Sequence, residues 1–515
     1  MRALASLATI AAVLSLASPA HAARSGALDY GDARHLLNRT GFGATQAEID
    51  HYVGMSRDEA AKALLGSART AALTTPPPAM VATGALHYPR RGAGASEDEL
   101  KMFRQQQVRE GLELRGWWIG EMLSTPSPLT ERMTLFWHNH FVSSQQKVKL
   151  TELMYRQNVT LRANALGNFG AMLHAIARDP AMIVYLDSAQ NRKGAPNENF
   201  ARELMELFTL GEGNYSERDV KEAARAFTGW SLDRERGEFV FRRGLHDYGS
   251  KTLLGRTGNF DGDDVIDILL AQPSTAEFVT RKLWRELVSP DPDPAEVTRI
   301  AARFRDSGYD IKTALFALLT SDAFYARENR GTLIKSPIDL VVGTLRQFDM
   351  HPGETIPFAV AAAGMGQNLF APPNVKGWPG QEVWINTSTL LARKQFLDRL
   401  MRADGGPAGM PRTATAEPMT AALPESVPSQ AVGKDLKQAR RLRLMCAVDR
   451  GVRSVQFDSA AWFAQWKAPR DAEGRKADAV RLLFAVAPQT PPPPQGIESV
   501  ALVRELVLDA AYQLK

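Results

Sequence analysis

Apolar side chains recur every three or four residues in the segment Ser274-Thr-Ala-Glu-Phe-Val-Thr-Arg-Lys-Leu-Trp-Arg-Glu-Leu287. This is the period of an amphipathic α-helix, whose apolar face must pack against another part of the protein. Ser274 and Glu277 have the spacing of a capping box, in which a hydroxyl caps the first free N–H groups and the acid reaches back. The segment therefore predicts a packed helix with Ser274 at its N-cap.

The same spacing of hydroxyl and acid precedes other periodic apolar runs along the chain. Strand-like alternation is scarce, and its best example is residues 238–243, which could pair locally as a hairpin before Gly244. The sequence therefore predicts an all-α fold of many stacked helices, with at most a small β-hairpin near residues 238–248. The further capping pairs are Thr45 with Glu48, Ser56 with Glu59, and Ser216 with Asp219.

Residues 1–22 have the three regions of a cleavable signal peptide. Met1 and Arg2 form a short positive start, residues 3–17 are almost entirely apolar, and Ala20-His-Ala22 matches the small-x-small pattern that signal peptidase cleaves. The apolar run is too short for a membrane span, which needs about 20 residues. Residues 1–22 contain no Arg-Arg pair, so the general secretory route fits them better than the twin-arginine route. We therefore expect an exported protein, periplasmic or secreted.

The cysteine content and the hydropathy of the rest of the chain favour a bacterial envelope or secreted setting. Cys446 is the only cysteine, so no intrachain disulfide can form and burial of the core has to supply the stability. Cys446 lies in the apolar run 442–448, which predicts a buried and inert thiol. No apolar run of about eighteen residues follows the signal peptide, so no transmembrane segment is expected after cleavage.

Composition divides the chain after the signal peptide into three parts. Residues 23–401 carry most of the helix signals and are expected to form the main helical domain. Residues 402–435 are rich in Ala, Pro and Gly, which predicts a linker or loop. Residues 436–515 again contain helical runs and predict a C-terminal helical part that packs on the main domain.

Several classes of function are excluded by the sequence. The chain has 62 basic and 57 acidic residues, a net charge of +5, and the two signs are mixed along it, so nucleic-acid binding is not expected. The sequence contains no serine nucleophile elbow, phosphate loop, dinucleotide fingerprint, zinc motif His-Glu-x-x-His or haem motif Cys-x-x-Cys-His. A function therefore has to be sought in less familiar groups of polar residues.

His138 and His140 are the first such group. Ser127 followed by Pro128 predicts a helix start, and on this helix His140 faces the core while His138 points about 200° away from it. The two rings could share a metal ion only if the helix ended and an extended segment began. Both histidines are candidate metal ligands, with a divalent metal as the candidate cofactor. The alternative is a buried histidine bonded to a backbone carbonyl.

Glu203 and Glu206 are the second group. On a helical wheel they lie with Asn199 within about 60°, away from the apolar face. Two neighbouring acids can bind a hard cation or divide acid and base roles, because like charges raise the pKa of one of them. Both are therefore candidate catalytic residues. The alternative is a solvated helix surface on which Arg202 forms an ion-pair ladder with Glu198 and Glu206.

His246 and Asp247 are the third group, and they are also candidate catalytic residues. A His-Asp pair in a turn can supply a base or a ligand, although the same composition is common in ordinary turns. The acids that follow at Asp261, Asp263 and Asp264 lack the spacing and terminal glutamate of the twelve-residue calcium loop. The sequence therefore leaves a site residue and a plain turn as alternatives for this pair.

Residues 366–386 form a block rich in Pro and Gly that contains Trp378 and Trp384. Proline and glycine favour a loop with a defined backbone path. Tryptophan rings can either anchor such a loop or line a cleft for a ring or a sugar. We expect anchoring for most of these residues, with glycan binding as the alternative.

Six blocks of the sequence form a recognisable pattern and occur in a fixed order between residues 28 and 400. They resemble the signatures of a bacterial family filed as domain of unknown function 1800. The resemblance implies an exported bacterial protein, often encoded beside another exported family that is distantly similar to sulfatases, and it supplies no activity and no residue roles. The blocks are Leu37-Asn-Arg-Thr-Gly-Phe-Gly43, Phe136-Trp-His-Asn-His-Phe141, Asn197-Glu-Asn-Phe-Ala-Arg-Glu-Leu-Met-Glu-Leu-Phe-Thr-Leu-Gly211, Ala223-Ala-Arg-Ala-Phe-Thr-Gly-Trp230, Lys335-Ser-Pro337 and Pro372-Pro-Asn-Val-Lys-Gly-Trp-Pro379.

Two hypotheses of function follow. The first is an envelope enzyme, with hydrolysis as the leading reaction class, that holds a polar or metal-binding pocket formed by some of the histidine, glutamate and aspartate candidates. The second is a non-catalytic envelope partner or subunit of the co-encoded, exported sulfatase-like protein. Its motivation is the absence of any recognised catalytic motif from the sequence.

Overall fold

The computed structural model describes residues 26–70, 73–81, 96–402, 446–466, 471–491 and 499–515. The predicted signal peptide and all but the first residue of the predicted linker lie outside these ranges. The helices up to residue 226 are α1 (Tyr30–Thr40), α2 (Gln46–Tyr52), α3 (Arg57–Ser67), α4 (Glu97–Ser124), α5 (Pro128–His140), α6 (Gln145–Val148), α7 (Thr151–Asn164), α8 (Phe169–Ala177), α9 (Pro180–Tyr185), α10 (Asn199–Glu203) and α11 (Glu217–Ala226).

The second half of the chain is helical as well, and residues 446–453 belong to a further helix. A π-helical turn, Leu204–Thr209, continues α10. The remaining helices are α12 (Gly262–Leu270), α13 (Pro273–Leu287), α14 (Pro294–Asp306), α15 (Ile311–Leu319), α16 (Asp322–Tyr325), α17 (Pro337–Gln347), α18 (Ile356–Gly364), α19 (Thr387–Met401), α20 (Ser459–Ala464), α21 (Ala472–Leu483) and α22 (Val500–Leu508). Single 3-10 turns lie at Ala79–Val81, Ser188–Gln190, Arg243–Leu245, Arg327–Asn329, Gln381–Trp384 and Ala510–Gln513.

Two antiparallel hairpins interrupt the helices. Strand β1 (Trp230–Asp233) pairs with β2 (Glu238–Phe241), and β3 (Lys251–Leu253) pairs with β4 (Arg256–Gly258). The prediction of an all-α fold is confirmed, and the predicted strand is present as β2. The second hairpin was not predicted, because strands of three residues are too short for alternation to show in the sequence.

Three of the four predicted capping boxes are present, those at Thr45, Ser56 and Ser216. The prediction for Ser274 is wrong, because α13 begins at Pro273, ahead of the expected cap. Proline suits the first helical position, since its φ is already helical and its missing N–H would be unpaired there. Proline therefore overrides the weaker signal from the serine that follows it.

Helix α5 crosses the middle of the fold and has no exposed face. It contacts α1, α4 and α7, and both Met133 on its apolar stripe and His138 on the opposite side are buried. A surface helix buries one stripe only, so a helix buried all round belongs to the core of a large domain. Helix α5 therefore has two buried faces, one with Met133 and one with His138.

The C-terminal helices pack against the main helical part. Helix α22 lies along α19, and Trp462 on α20 donates a hydrogen bond from its indole Nε1 to the carbonyl oxygen of Gln347, at 2.8 Å. At the end of the chain the amide nitrogen of Lys515 donates to the carbonyl oxygen of Leu333, at 2.8 Å. No helix within the described ranges is long and apolar enough to cross a membrane.

Cys446 is exposed, so the prediction of a buried thiol is wrong. The helical residues 446–453 present Ala447 and Val452 to the interior. Because adjacent helix positions are rotated by about 100°, the neighbour of an inward-facing residue can lie on the outer face. An apolar run in the sequence therefore did not show which of its residues is buried.

Asp179 is a buried acid that makes stability depend on pH. It caps α9 by accepting a hydrogen bond from the amide of Met182, at 2.9 Å, and it accepts a second from Gln157 Nε2, at 2.7 Å. Burial raises the pKa of Asp179 to about 7. Its contribution to stability is therefore fully present below about pH 4, and it is lost as the pH rises through about 7.

We expect Asp179→Asn to match the wild type in unfolding free energy near pH 4 and to exceed it at pH 8. Asparagine is an equally good N-cap and carries no charge to bury, and each unit of pKa difference corresponds to about 1.4 kcal/mol. Urea unfolding across this pH range measures the effect. Asp293→Asn, at the exposed N-cap of α14, is the matched control. A stability difference between Asp179→Asn and the wild type that does not grow between pH 4 and pH 8 would contradict the expectation.

Candidate functional site

His140 is held by hydrogen bonds to the π-helical turn. Its Nε2 lies 3.1 Å from the carbonyl oxygen of Phe208, and its Nδ1 lies 3.1 Å from Lys282 Nζ, which also donates to the carbonyl oxygen of Leu207 at 3.1 Å. Burial lowers the pKa of His140 well below its ordinary value, and the nearby charge of Lys282 lowers it further. His140 is thus the carbonyl-bonded histidine that the sequence left open as the alternative to a metal ligand.

His138 lies in an aromatic cage on the other side of α5. Its ring centroid lies 5.3 Å from those of Trp118 and Phe370, and 5.7 Å from that of Trp378. Burial lowers the pKa of His138 to about 3. The two histidines therefore point into different surroundings. Within the described ranges, no group of three or more His, Cys, Asp or Glu side chains is arranged to hold a metal ion.

Glu203 and Glu206 lie at the junction of α10 and the π-helical turn, not on the regular helix that the wheel assumed. Both side chains are half-buried. Glu206 accepts a hydrogen bond from the Tyr215 hydroxyl at 2.9 Å, and Lys376 Nζ lies 3.9 Å from its carboxylate. Burial raises the pKa of Glu203, and the neighbouring charge of Glu206 raises it further.

The ion-pair ladder expected from the sequence forms only in part. Arg202 pairs with Glu198 at 3.2 Å, and its second partner is Glu217 at 2.6 Å. The π-helical turn changes the angular spacing after Glu203, because its hydrogen bonds join residues five apart instead of four. Arg202 therefore turns toward α11 and away from Glu206.

His246 and Asp247 are held against the end of α11. His246 Nδ1 lies 2.8 Å from the carbonyl oxygen of Thr228, so its N–H donates there. Asp247 accepts a hydrogen bond from Arg225 Nε at 2.8 Å, and this bond lowers the pKa of Asp247 to about 2. No hydrogen bond, ion pair or ring contact joins either residue to the other described candidates, the two histidines of α5 and the two glutamates.

A buried charged centre, which the sequence did not indicate, lies where α5, α13, α17 and the end of the chain meet. Arg132 donates to a carboxylate oxygen of Asp339 and, at 2.5 Å, to the carbonyl oxygen of Gly41. Its Nη1 lies 3.3 Å from the carboxylate of Glu286, whose side chain is 32% exposed. Lys515 Nζ donates to the other oxygen of Asp339 at 2.8 Å. Arg132, Asp339 and Lys515 are all buried.

Basic side chains outnumber acidic side chains in this centre. Burial alone would raise the pKa of Asp339, but the charges of Arg132 and Lys515 outweigh it and hold the pKa well below its ordinary value. Burial lowers the pKa of Lys335 to about 7 and that of Arg39 to about 9, although the charge of Asp339 opposes both shifts. Four basic groups thus surround one buried carboxylate and the half-buried Glu286.

The turn between α1 and α2 closes one side of the centre. Gly43 has φ +62°, and a Cβ there would lie 2.5 Å from the carbonyl oxygen of Gly343 on α17, so this close approach needs glycine. The ring of Phe42 lies 4.3 Å from the guanidinium of Arg132. The same turn lines a separate, mainly apolar cleft of about 380 Å³.

A small cavity of about 70 Å³ adjoins the charged centre. Two buried donors on residues that line it, Trp378 Nε1 and Arg132 Nε, have no hydrogen-bond partner among the described residues. An unpaired buried donor costs free energy until it meets an acceptor. The cavity therefore combines positive charge with free donors. Its other polar lining residues are Asn139, Glu286, Ser336, Asp339, Gln367, Gln381 and Lys515.

The tryptophans of residues 366–386 serve as anchors. Trp378 and Trp384 are both buried and present no ring face to solvent. The amide of Trp378 donates to Asn139 Oδ1 at 2.7 Å, which fastens the loop to α5. This matches the anchoring role expected from the sequence, and glycan stacking would need an exposed ring face.

Some of the six sequence blocks point to the cavity, although none of the charged residues that line it lies in them. The lining residues Asn139, Ser336 and Trp378 each belong to a different block, and Gly41 of the first block bonds the buried arginine. The available signal was the spacing Ser336-x-x-Asp339, a capping box that α17 does form. A capping acid is normally exposed, so this pattern alone did not indicate a buried ion pair.

A family model described as "Protein of unknown function (DUF1800)" matches residues 35–488. No curated protein and no solved structure matches the chain. The match covers most of the chain, including the charged centre except for Lys515. The chain therefore belongs to the DUF1800 family of proteins of unknown function.

Proposed function

We propose that this protein is exported and that its charged cavity binds a small anionic group, a carboxylate, phosphate or sulfate, of an envelope ligand. The two unpaired buried donors, Trp378 Nε1 and Arg132 Nε, are the observation that carries the proposal. An oxygen anion supplies acceptors for both and offsets the excess positive charge. The signal peptide expected for residues 1–22 supports export.

The size of the cavity limits what enters it. A buried water needs roughly 10–15 Å³ by this kind of measure, and the cavity measures about 70 Å³. This suits one anionic group of a few heavy atoms, with the rest of the ligand outside. We therefore propose recognition of an anionic headgroup or terminus.

Binding fits the cavity better than catalysis. Asp339 accepts hydrogen bonds from Arg132, from Lys515 and from the amide of Ser336. Its lowered pKa makes it a weak base. The Ser336 hydroxyl accepts from the amide of Asp339 as part of a helix cap.

A co-encoded exported partner stays a prediction beside this proposal, and co-purification from the native host tests it.

Substitutions that change the charge of the cavity lining test the proposal. Glu286→Gln removes a half-exposed negative charge beside Arg132 and is expected to tighten binding of inorganic phosphate, sulfate or acetate about tenfold. Gln381→Glu adds a negative charge to the lining and is expected to abolish binding. Titration calorimetry measures both, with chloride at equal ionic strength as the reference anion.

Glu277→Gln on the same helix, where Glu277 pairs with Arg281 at 3.0 Å on the surface, is the matched control and is expected to leave binding unchanged. A wild type that binds none of the three anions above the chloride reference overturns the proposal. Equal affinities for the Glu286→Gln and Gln381→Glu variants overturn it as well.

A further inference from the structure

Three large side chains lie exposed where the first hairpin ends. Phe241, Leu245 and Tyr248 expose 37%, 40% and 54% of their area. The rings of Phe241 and Tyr248 both contact the buried ring of His246, with centroids 5.3 Å and 4.6 Å away. The two aromatic rings therefore flank one point of the surface. Exposed apolar groups gathered in one place indicate an interaction surface.

Basic side chains surround these three residues. Arg242 and Arg243 lie between them in the chain and are exposed. Arg192 and Lys193 are exposed on the neighbouring loop, where the amide of Lys193 donates to the carbonyl oxygen of Leu245 at 2.7 Å. Across the described ranges, none of these four cations has a carboxylate at ion-pair distance. The surface therefore carries positive charge that no direct ion pair neutralises, beside exposed apolar area.

The backbone of this surface is held firmly from below. The amide of Arg242 donates to the carbonyl oxygen of Gly229 at 2.8 Å. The hydrogen bonds that join His246 to Thr228 and Asp247 to Arg225 fix the following turn. His246 and Asp247, proposed from the sequence as catalytic residues, are positioning residues here. A surface held in place loses little conformational entropy when it binds.

We propose that this apolar–basic patch docks the protein on a membrane surface that contains anionic lipids. Exposed aromatic and aliphatic side chains enter the boundary between headgroups and acyl chains, and lysine and arginine pair with the lipid phosphates. A purely acidic protein partner would use the cations and leave the apolar side chains exposed. The combination of both features on one fixed surface selects a lipid interface. This inference is independent of the anion cavity.

Vesicle sedimentation with the full chain tests the docking. The wild type is expected to sediment with vesicles of equal parts phosphatidylcholine and phosphatidylglycerol, more weakly at high salt, and far less with phosphatidylcholine alone. The double variant Arg242→Gln/Arg243→Gln is expected to weaken binding about twenty-fivefold, since each basic residue near such a surface contributes about fivefold. Leu245→Ser is expected to weaken binding about tenfold.

Leu391→Ser on α19, where Leu391 is 56% exposed, is the matched control and is expected to bind like the wild type. Because residues 1–22 are themselves apolar, all variants are compared in the same chain. Patch variants that sediment like the wild type overturn the proposal. The proposal is also overturned if soluble polyglutamate binds tightly and Leu245→Ser leaves that binding unchanged. This result would indicate an acidic protein partner instead.

Discussion

Asp339→Asn is expected to lower the free energy of unfolding by about 3–5 kcal/mol. The side chain keeps its shape, but the change removes the negative charge and turns one of two accepting oxygens into an NH2 donor that faces Arg132 or Lys515. Arg132 and Lys515 then remain buried with only the half-exposed Glu286 nearby. Removing one partner of a buried ion pair lowers the free energy of unfolding strongly, because the remaining charge is neither hydrated nor paired.

The pH dependence of this loss has a definite sign. The folded-state pKa of Asp339 lies below its ordinary value of 3.8. Its contribution to stability is therefore fully present above about pH 4 and is lost as the pH falls through the folded-state pKa. Urea unfolding should show a large difference between wild type and variant at pH 7 and a smaller one in strong acid.

Asp322→Asn is the control for Asp339→Asn. Asp322 also pairs with an arginine, Arg57 at 2.6 Å, but its side chain is 69% exposed. Exposed pairs contribute little, so this variant is expected to change stability by less than about 1 kcal/mol. Equal losses from the two variants, or a loss from Asp339→Asn that does not depend on pH, would contradict the picture of a buried centre.

Arg162→Met is the second substitution with a large expected effect, again about 3–5 kcal/mol. Arg162 donates to both carboxylate oxygens of Glu131, at 2.6 Å and 3.0 Å, and Trp118 Nε1 donates to the same carboxylate at 2.8 Å. Glu131 on α5 and Arg162 on α7 are both fully buried. Methionine fills much of the space of the arginine stem but leaves the glutamate unpaired.

A double variant separates lost charge pairing from lost packing. In Arg162→Met/Glu131→Gln no buried charge remains, and the glutamine oxygen still accepts from Trp118. We expect it to be more stable than Arg162→Met alone, because a buried pair replaced as a whole costs much less than a pair that is broken. A double variant less stable than the single one would show that packing dominates. Urea midpoints and slopes of all three chains measure this.

Much of the secondary structure was predictable because its causes are local. The caps at Thr45, Ser56 and Ser216 involve residues three apart in the chain, and so they are visible in the sequence. Two of the errors were local competitions as well. Pro273 began α13 ahead of Ser274, and the π-helical turn after Glu203 shifted the expected wheel. Each of these two errors came from one backbone preference that outweighed another.

The candidate functional residues differ from the helix caps in this respect. Sequence reasoning selected polar residues that stand out by type or spacing, such as His138, His140 and the His246–Asp247 pair. The structure gives His140, His246 and Asp247 backbone or ion-pair partners of their own. These bonds join turns and helix ends that are distant in the chain. Spacing alone therefore did not tell a satisfied buried group from a reactive one.

The sequence by itself determined the helical class, several helix starts and the family, because periodicity, caps and family blocks are properties of short segments. Only the tertiary structure decided which charges are buried together. Arg132 and Asp339 are 207 positions apart, and Lys515 lies 176 positions from Asp339. Such a cluster leaves no local pattern, since its members meet only after the helices have packed. The physical reason is that the free energy of a buried charge depends on the groups around it, and those come from every part of the chain.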